Sequence, residues 1–260
     1  MALEKVNGAP NWADCATFDL DGAERFYAAV FGWTPRRIGG SDGSVYSLQM
    51  LDGELVAGIY ELNQQMRDMG VPSHWGTYIE VEDVDAATEK VRAEGGIVAD
   101  GPLDEPGVGR MVIVQDNVQA FVRLWHSAPE HGVVPSNVAG HMNWNELSTR
   151  EPEKAARFYE KVLGVSVEKV PSGDSHYRML VAGGRPVAGI LQVTPEMGEF
   201  PASWEVYFAS DDVDATQAKA IAAGGKALKE AFDIPGGSRM AVLQDPFGAV
   251  FDVMHMVMPG

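Results

Sequence analysis

Apolar residues recur at helical spacing in two stretches of the chain. Ala23, Phe26, Tyr27 and Val30 fall at i, i+3, i+4 and i+7, which predicts a helix with one apolar face, Asp21 as its candidate cap and Gly32 as its terminator. The pattern returns at Ala155, Phe158, Tyr159 and Val162, with Pro152 in the first turn and Gly164 at the end. Shorter, Ala-rich helices are predicted from about Asp85 to Glu94 and from about Asp214 to Ala223, each closed by a Gly-Gly pair. Between the helices, apolar and polar residues alternate over short runs such as Ser44 to Met50 and Met111 to Val114, which predicts strands. The order strand, helix, several strands describes a βαβββ module. Its helix covers one face of the sheet and leaves the other open, so the expected class is α+β with modules pairing into cups.

The similarity of the two long helices extends to the whole chain. Trp144 follows Trp12, and Phe158-Tyr159 follows Phe26-Tyr27, by 132 residues. Ala188-Gly189-Ile190 follows Ala57-Gly58-Ile59 by 131, and Gln244-Asp245 follows Gln115-Asp116 by 129. Small loop deletions account for the drift, and a register kept over this length means internal duplication. A shorter echo, Asp19-Leu20-Asp21 against Asp83-Val84-Asp85, divides each copy again, giving four modules in all. The expected organisation is a first domain over 1–126, a linker over 127–138 holding Pro129 and Pro135, and a second domain over 139–260.

Charge narrows the choice of partners. With 37 acidic against 20 basic residues the net charge is −17, which repels phosphate backbones and anionic headgroups. Nucleic acid and membranes are therefore not expected partners. The sequence has no apolar run long enough to span a bilayer and no signal-like start, so a cytoplasmic address is expected. The one cysteine, Cys15, has no disulfide partner within the chain and is expected to be a buried, inert thiol. The sequence carries no Gly-x-Ser-x-Gly elbow, phosphate-cradling Gly-Lys-Ser/Thr loop or paired-cysteine zinc motif, which sets those reaction classes aside.

Period-two alternation places Trp12 with Asp14 on one face of the first strand, and Trp144 with Glu146 on the equivalent face in the second copy. An aromatic beside a carboxylate suits a ligand that stacks on the indole while Asp14 or Glu146 accepts a hydrogen bond or a proton. The competing reading makes the tryptophans core and pairs the acids with an arginine such as Arg110 or Arg239. Tyr46 corresponds to Tyr177 and Tyr78 to Tyr207, and each is a candidate ligand contact or else a half-buried strand aromatic with its hydroxyl in water. Met66, Met69 and Met197 lie in connecting loops that suit the cover of a flat apolar ligand.

Three segments carry a family resemblance: Asp19-Leu-Asp-Gly-Ala-Glu-Arg-Phe-Tyr-Ala-Ala-Val-Phe-Gly, Glu151-Pro-Glu-Lys-Ala-Ala-Arg-Phe-Tyr-Glu-Lys-Val-Leu-Gly, and Asp245-Pro-Phe-Gly-Ala-Val-Phe-Asp. In this order the chain resembles the vicinal oxygen chelate superfamily of glyoxalases, bleomycin resistance proteins and extradiol dioxygenases, and looks most like its tandem-domain, glyoxalase-like members of actinobacterial type. The resemblance implies metal ligands from the first and last strands of each module. Those positions hold Trp12, Gly76 and Arg123 in the first copy, which therefore looks metal-free. In the second they hold Trp144, Glu205 and Asp252, which leaves Glu205 and Asp252 as candidate ligands for a divalent metal, with no other cofactor implied. A one-residue slip in the match would bring His74 or His141 to such a position.

Two functions follow from the resemblance. One is a glyoxalase-like lyase, isomerase or oxygenase acting on a small carbonyl-bearing or aromatic metabolite, with Glu146 the preferred base and Asp14 its counterpart. The other is a bleomycin-resistance-like binding protein that sequesters or delivers an aromatic natural product. A small hydrophobic or aromatic metabolite is the expected partner in both, and a homodimer is a candidate assembly.

Overall fold

The computed structural model describes residues 5–39, 43–105, 107–170 and 176–257. The first copy runs β1 (Pro10–Thr17), α1 (Leu20–Phe31), β2 (Thr34–Gly39), β3 (Val45–Leu51), β4 (Glu54–Glu61), α2 (Gln64–Asp68), β5 (His74–Glu80), α3 (Val84–Ala93), β6 (Ile97–Glu105), β7 (Gly109–Gln115) and β8 (Phe121–Ser127). The second runs β9 (Met142–Thr149), α4 (Pro152–Leu163), β10 (Ser166–Lys169), β11 (Tyr177–Ala182), β12 (Arg185–Gln192), β13 (Ser203–Ala209), α5 (Val213–Ala222), β14 (Lys226–Asp233), β15 (Arg239–Gln244) and β16 (Val250–His255), with a 3-10 turn at Pro195–Met197. Each copy forms one open, curved eight-stranded sheet, ordered β2-β3-β4-β1-β5-β8-β7-β6 and β10-β11-β12-β9-β13-β16-β15-β14. The fold is α+β, built from four βαβββ modules.

Local chemistry sets the helix ends. Gly32 and Gly164 terminate α1 and α4 with φ of 80° and 72°, the left-handed conformation a side chain disfavours. The cap of α1 is Asp19, whose carboxylate accepts the Gly22 N–H at 2.9 Å, and not Asp21. Asp21 already lies inside the first turn, where it pairs with Arg37. Asp83 and Asp212 cap α3 and α5 in the same way, just ahead of where the spacing suggests.

The chain packs as two compact units, and each takes one module from each sequence copy. One unit comprises Met1–Trp12, Thr77–Val134 and Trp144–Glu205; the other comprises Ala13–Gly76, Pro135–Asn143 and Val206–Gly260. In the first, Ala155, Phe158, Tyr159 and Val162 of α4 pack with Leu147, Leu180, Ala188 and Ile190 of the second copy and with Val91, Val112, Val122 and Leu124 of the first. Burying each large side chain of this kind contributes about 1.5–3 kcal/mol. In the second, Tyr27, Phe31, Trp33 and Trp75 make ring contacts with Phe208 and Phe251, at centroid separations such as 5.0 Å for Trp75 on Phe208 and 5.5 Å for Tyr27 on Phe251.

Cutting the chain between its sequence copies therefore separates modules that share a core. A chain cut to residues 1–126 loses Phe208, Phe251 and Asp245, which complete the packing around Tyr27. It still carries Asp116, the counterpart of Asp245, so two such fragments can complete each other. The expected result in sedimentation is a folded dimer that dissociates only on unfolding, and a stable folded monomer would contradict the pairing.

Candidate functional site

In the unit containing α4, β9 runs parallel to β12 with Glu146 opposite Gly189, and β12 runs antiparallel to β11. Leu147, Ile190 and Leu180 turn towards α4 and join the core. Alternation therefore turns Trp144, Glu146, Gly189 and Tyr177 to the opposite face. There the Tyr177 hydroxyl accepts the Trp144 indole N–H at 2.9 Å and is hydrogen-bonded to the Glu146 carboxylate. Glu146 is buried at 6% exposure, so its carboxylate is held largely out of water. Desolvation, with the adjacent Glu146 charge and hydrogen bond, raises the Tyr177 pKa well above its ordinary value, which keeps the phenol protonated as a donor.

Gly189 makes this arrangement possible. A Cβ built there would lie 2.0 Å from the Tyr177 hydroxyl and 3.2 Å from the Trp144 indole nitrogen, so any side chain would occupy the space of the phenol. The other unit repeats the device. Asp14 lies opposite Gly58, a Cβ on Gly58 would fall 2.0 Å from the Tyr46 hydroxyl, and that hydroxyl donates to Asp14 at 3.2 Å. Tyr46 also stacks on Tyr60 at 6.2 Å, where the second copy has Leu191. The triad of carboxylate, tyrosine and glycine is thus present twice. The significance of Gly58, Gly189 and Tyr60 is not visible in sequence spacing, because it depends on which strands lie side by side. The shared Ala-Gly-Ile was the available signal.

The arginines expected as partners for these acids are engaged elsewhere. Arg110 binds Asp85 and Asp104, and Arg239 binds Asp214 and Asp233, all near the surface. Tyr46 and Tyr177 likewise hold their hydroxyls on carboxylates, not in water.

The remaining candidates are distributed as follows. Trp12 is buried at 5% exposure. Tyr78 is buried opposite Arg123, whose guanidinium carbon sits 5.2 Å from the ring centroid, and packs edge-on against Trp125. Tyr207 stands at the matching position opposite Asp252, so the second copy exchanges a cation for an acid beside the same phenol. Glu205 is half-buried and accepts the Ser203 hydroxyl, while desolvation raises its pKa. Among the described residues no three His, Cys, Asp or Glu side chains converge as a metal centre requires. Glu205 lies on β13 two residues before Tyr207, which stands opposite Asp252 on β16, and two carboxylates alone are short of the six to eight oxygen ligands that a calcium-type cation takes. Met69 and Met197 are largely exposed on their connecting segments.

The paired Phe-Tyr motifs have a structural role. The Tyr159 hydroxyl donates to Asp116 at 2.7 Å and accepts the Trp204 indole N–H at 2.8 Å, and Tyr27 does the same with Asp245 at 3.1 Å and Trp75 at 2.8 Å. Each tyrosine thereby bonds an acid from the other sequence copy. Cys15 is fully buried, and desolvation raises its thiol pKa well above the ordinary value, as an inert thiol requires.

Two eight-stranded sheets built from βαβββ modules define the class of fold, and comparison with known proteins gives its family. Residues 10–119 match the Glyoxalase/Bleomycin resistance protein/Dioxygenase superfamily, and residues 144–254 match the Glyoxalase-like domain. The chain is 42% identical over 254 residues to CFP32 of Mycobacterium tuberculosis, provisionally named a glyoxylase, covering 96% of each. It is 32% identical over 262 residues to the anthracycline biosynthesis protein DnrV of Streptomyces peucetius, covering 96% of this chain and 94% of that one. The chain belongs to this superfamily as a tandem two-domain member. The fold is shared with the Mn(II)-bound glyoxalase from Novosphingobium aromaticivorans (TM-score 0.61, 17% identity, 97% of this chain and 83% of that one). It is shared also with the 2,3-dioxygenase LapB from Pseudomonas sp. KL28 (TM-score 0.64, 13% identity, 98% and 95%).

Proposed function

We propose that the chain binds a small carbonyl-bearing or aromatic metabolite against Trp144, Tyr177 and Glu146 and acts on it as a glyoxalase-like enzyme, with Glu146 as general base. The observation that carries this reading is the buried Glu146 carboxylate held by the Tyr177 phenol, itself held by Trp144. A carboxylate in a largely apolar face suits removal of a proton from a ligand carbon next to a carbonyl or from a phenol, and Tyr177, whose one O–H goes to Glu146, orients that carboxylate. Trp144 offers a stacking surface for the ligand. Asp14 and Tyr46 form the equivalent site of the other unit, and Trp12, Tyr78 and Tyr207 are further candidate aromatic contacts. Glu205 and Asp252 remain the candidate oxygen ligands of a divalent ion, and no step depends on them.

The second reading, a non-catalytic protein that holds an aromatic natural product, is favoured by one observation: the described residues lack the three-residue cluster with which a metal polarises a carbonyl. Turnover and binding of a panel of α-dicarbonyl and polyketide-type aromatic compounds, measured on wild-type protein and Glu146→Gln, separate the two. The enzyme reading expects Glu146→Gln to retain ligand affinity while turnover falls by about 10²–10⁴-fold. Undiminished turnover would remove Glu146 from the chemistry. Tight aromatic binding with no turnover in either protein would favour the second reading.

A further inference from the structure

On the helix side of the second-copy sheet lies a cavity of about 410 Å³, lined chiefly by Arg150, Glu151, Glu153, Lys154, Arg157 and Arg178 at the N-terminus of α4. Strand alternation places it on the other side of β11 from Tyr177. Four cationic side chains face two acidic ones here, in a chain whose net charge is −17. Arg178 is 5% exposed, yet its Nε and Nη1 have no hydrogen-bond acceptor among the described residues. Its Nη2 is held by Glu153, which stands on the cavity rim at 59% side-chain exposure. A buried guanidinium with two unanswered donors is costly unless something accepts them. The first turn of α4 adds to the positive potential, since Glu151 at the cap position makes no side-chain bond to it.

The sister copy shows what fills the equivalent space. There Ser47 stands at the counterpart of Arg178, and Glu24 on α1 stands at the counterpart of Ala156. The buried Glu24 carboxylate accepts the Ser47 hydroxyl at 2.6 Å and the Arg37 guanidinium at 3.0 Å and 2.6 Å. In the second copy the carboxylate has become Ala156 and the serine has become an arginine. The buried carboxylate of the first copy is gone, leaving the more exposed Glu153 on Arg178, and a cation has been added.

We propose that this cavity is a second ligand site, one that binds a small oxyanion, with Arg178 as the inner contact and Arg157, Lys154 and Arg150 as the outer ones. Arg178 offers an anion single hydrogen bonds from the donors that Glu153 leaves free, and Arg157, Lys154 and Arg150 add positive charge around it, a match shared by carboxylates and phosphates. Whether the anionic group is a carboxylate or a phosphate follows from which probe binds.

The test is calorimetric titration of the full chain with inorganic phosphate and, separately, with acetate and malonate, at constant ionic strength. Saturable binding of one equivalent of phosphate or of a carboxylate is expected, weakened at least about tenfold in Arg178→Met. Because Arg178→Met could perturb folding, Ala156→Glu provides an independent arm, restoring the carboxylate of the first copy. It is expected to abolish anion binding while raising the thermal midpoint measured without anion. Absence of saturable binding by all three probes in the wild type would overturn the proposal. So would binding that survives both substitutions, which would place the anion elsewhere.

Discussion

Tyr159→Phe is expected to lower stability by about 2–4 kcal/mol, read as a fall in the urea midpoint at unchanged slope. The substitution removes one oxygen from a well-packed ring, so the cavity term is negligible. The cost comes from stranding two groups at once: the Trp204 indole N–H, which donates to that hydroxyl, and the Asp116 carboxylate, which accepts from it. Both are buried, and each unsatisfied buried group costs about 1–3 kcal/mol. Asp116 keeps the backbone N–H groups of Val118 and Ala120, so the loop it organises survives. Tyr27→Phe is expected to cost less, because the Tyr27 bond to Asp245 is longer, 3.1 Å against 2.7 Å.

The same pair gives a pH dependence with a definite sign. Desolvation raises the Asp116 pKa above its ordinary value of 3.8, and the Tyr159 hydrogen bond partly opposes that rise. A carboxyl whose folded pKa is raised contributes most below its unfolded pKa, and the contribution is lost as pH climbs through the folded value. Without the Tyr159 hydroxyl the folded pKa moves further up, and the loss on raising the pH becomes larger. The deficit of Tyr159→Phe against wild type is therefore expected to widen as pH rises above 3.8. A deficit that narrows over that range would mean the hydroxyl does not stabilise the charged acid.

Local patterns were legible in the sequence, and contacts between distant segments were not. Spacing at i, i+3, i+4 and i+7 located Phe26-Tyr27 and Phe158-Tyr159 on buried helix faces, because a helix face is a local property. The duplication, the module order and the pairing of Glu146 with an aromatic face were legible for the same reason. The partner of Tyr159 was not, since Asp116 lies in the other sequence copy and reaches it only through the pairing of modules into compact units. Arg178 was likewise silent. Its significance comes from Ala156 and Ser47, residues that matter through what they lack or replace. The α1 cap falls at Asp19, two residues before the expected Asp21, because competing Asp side chains are hard to rank without the backbone.

Gly189→Ala is expected to disable the proposed base without removing it. A Cβ at this position would lie 2.0 Å from the Tyr177 hydroxyl and 2.6 Å from the ring carbon that carries it. A rigid ring cannot bend that oxygen aside, so the whole phenol must leave the β12 backbone. Displacing it breaks the bond from Trp144 and the bond to Glu146 together, which removes the orientation of the carboxylate. Ligand affinity and turnover are both expected to fall, turnover by about 10²-fold, the scale of a misplacement near 1 Å. Tyr177→Phe/Gly189→Ala should then cost little more than either change alone, because both act on one hydroxyl. Gly58→Ala does the same to Tyr46 and Asp14 in the other unit. Comparing the two alanine variants assigns the chemistry: loss in Gly189→Ala alone places the reaction at Glu146, and loss in Gly58→Ala alone moves it to Asp14.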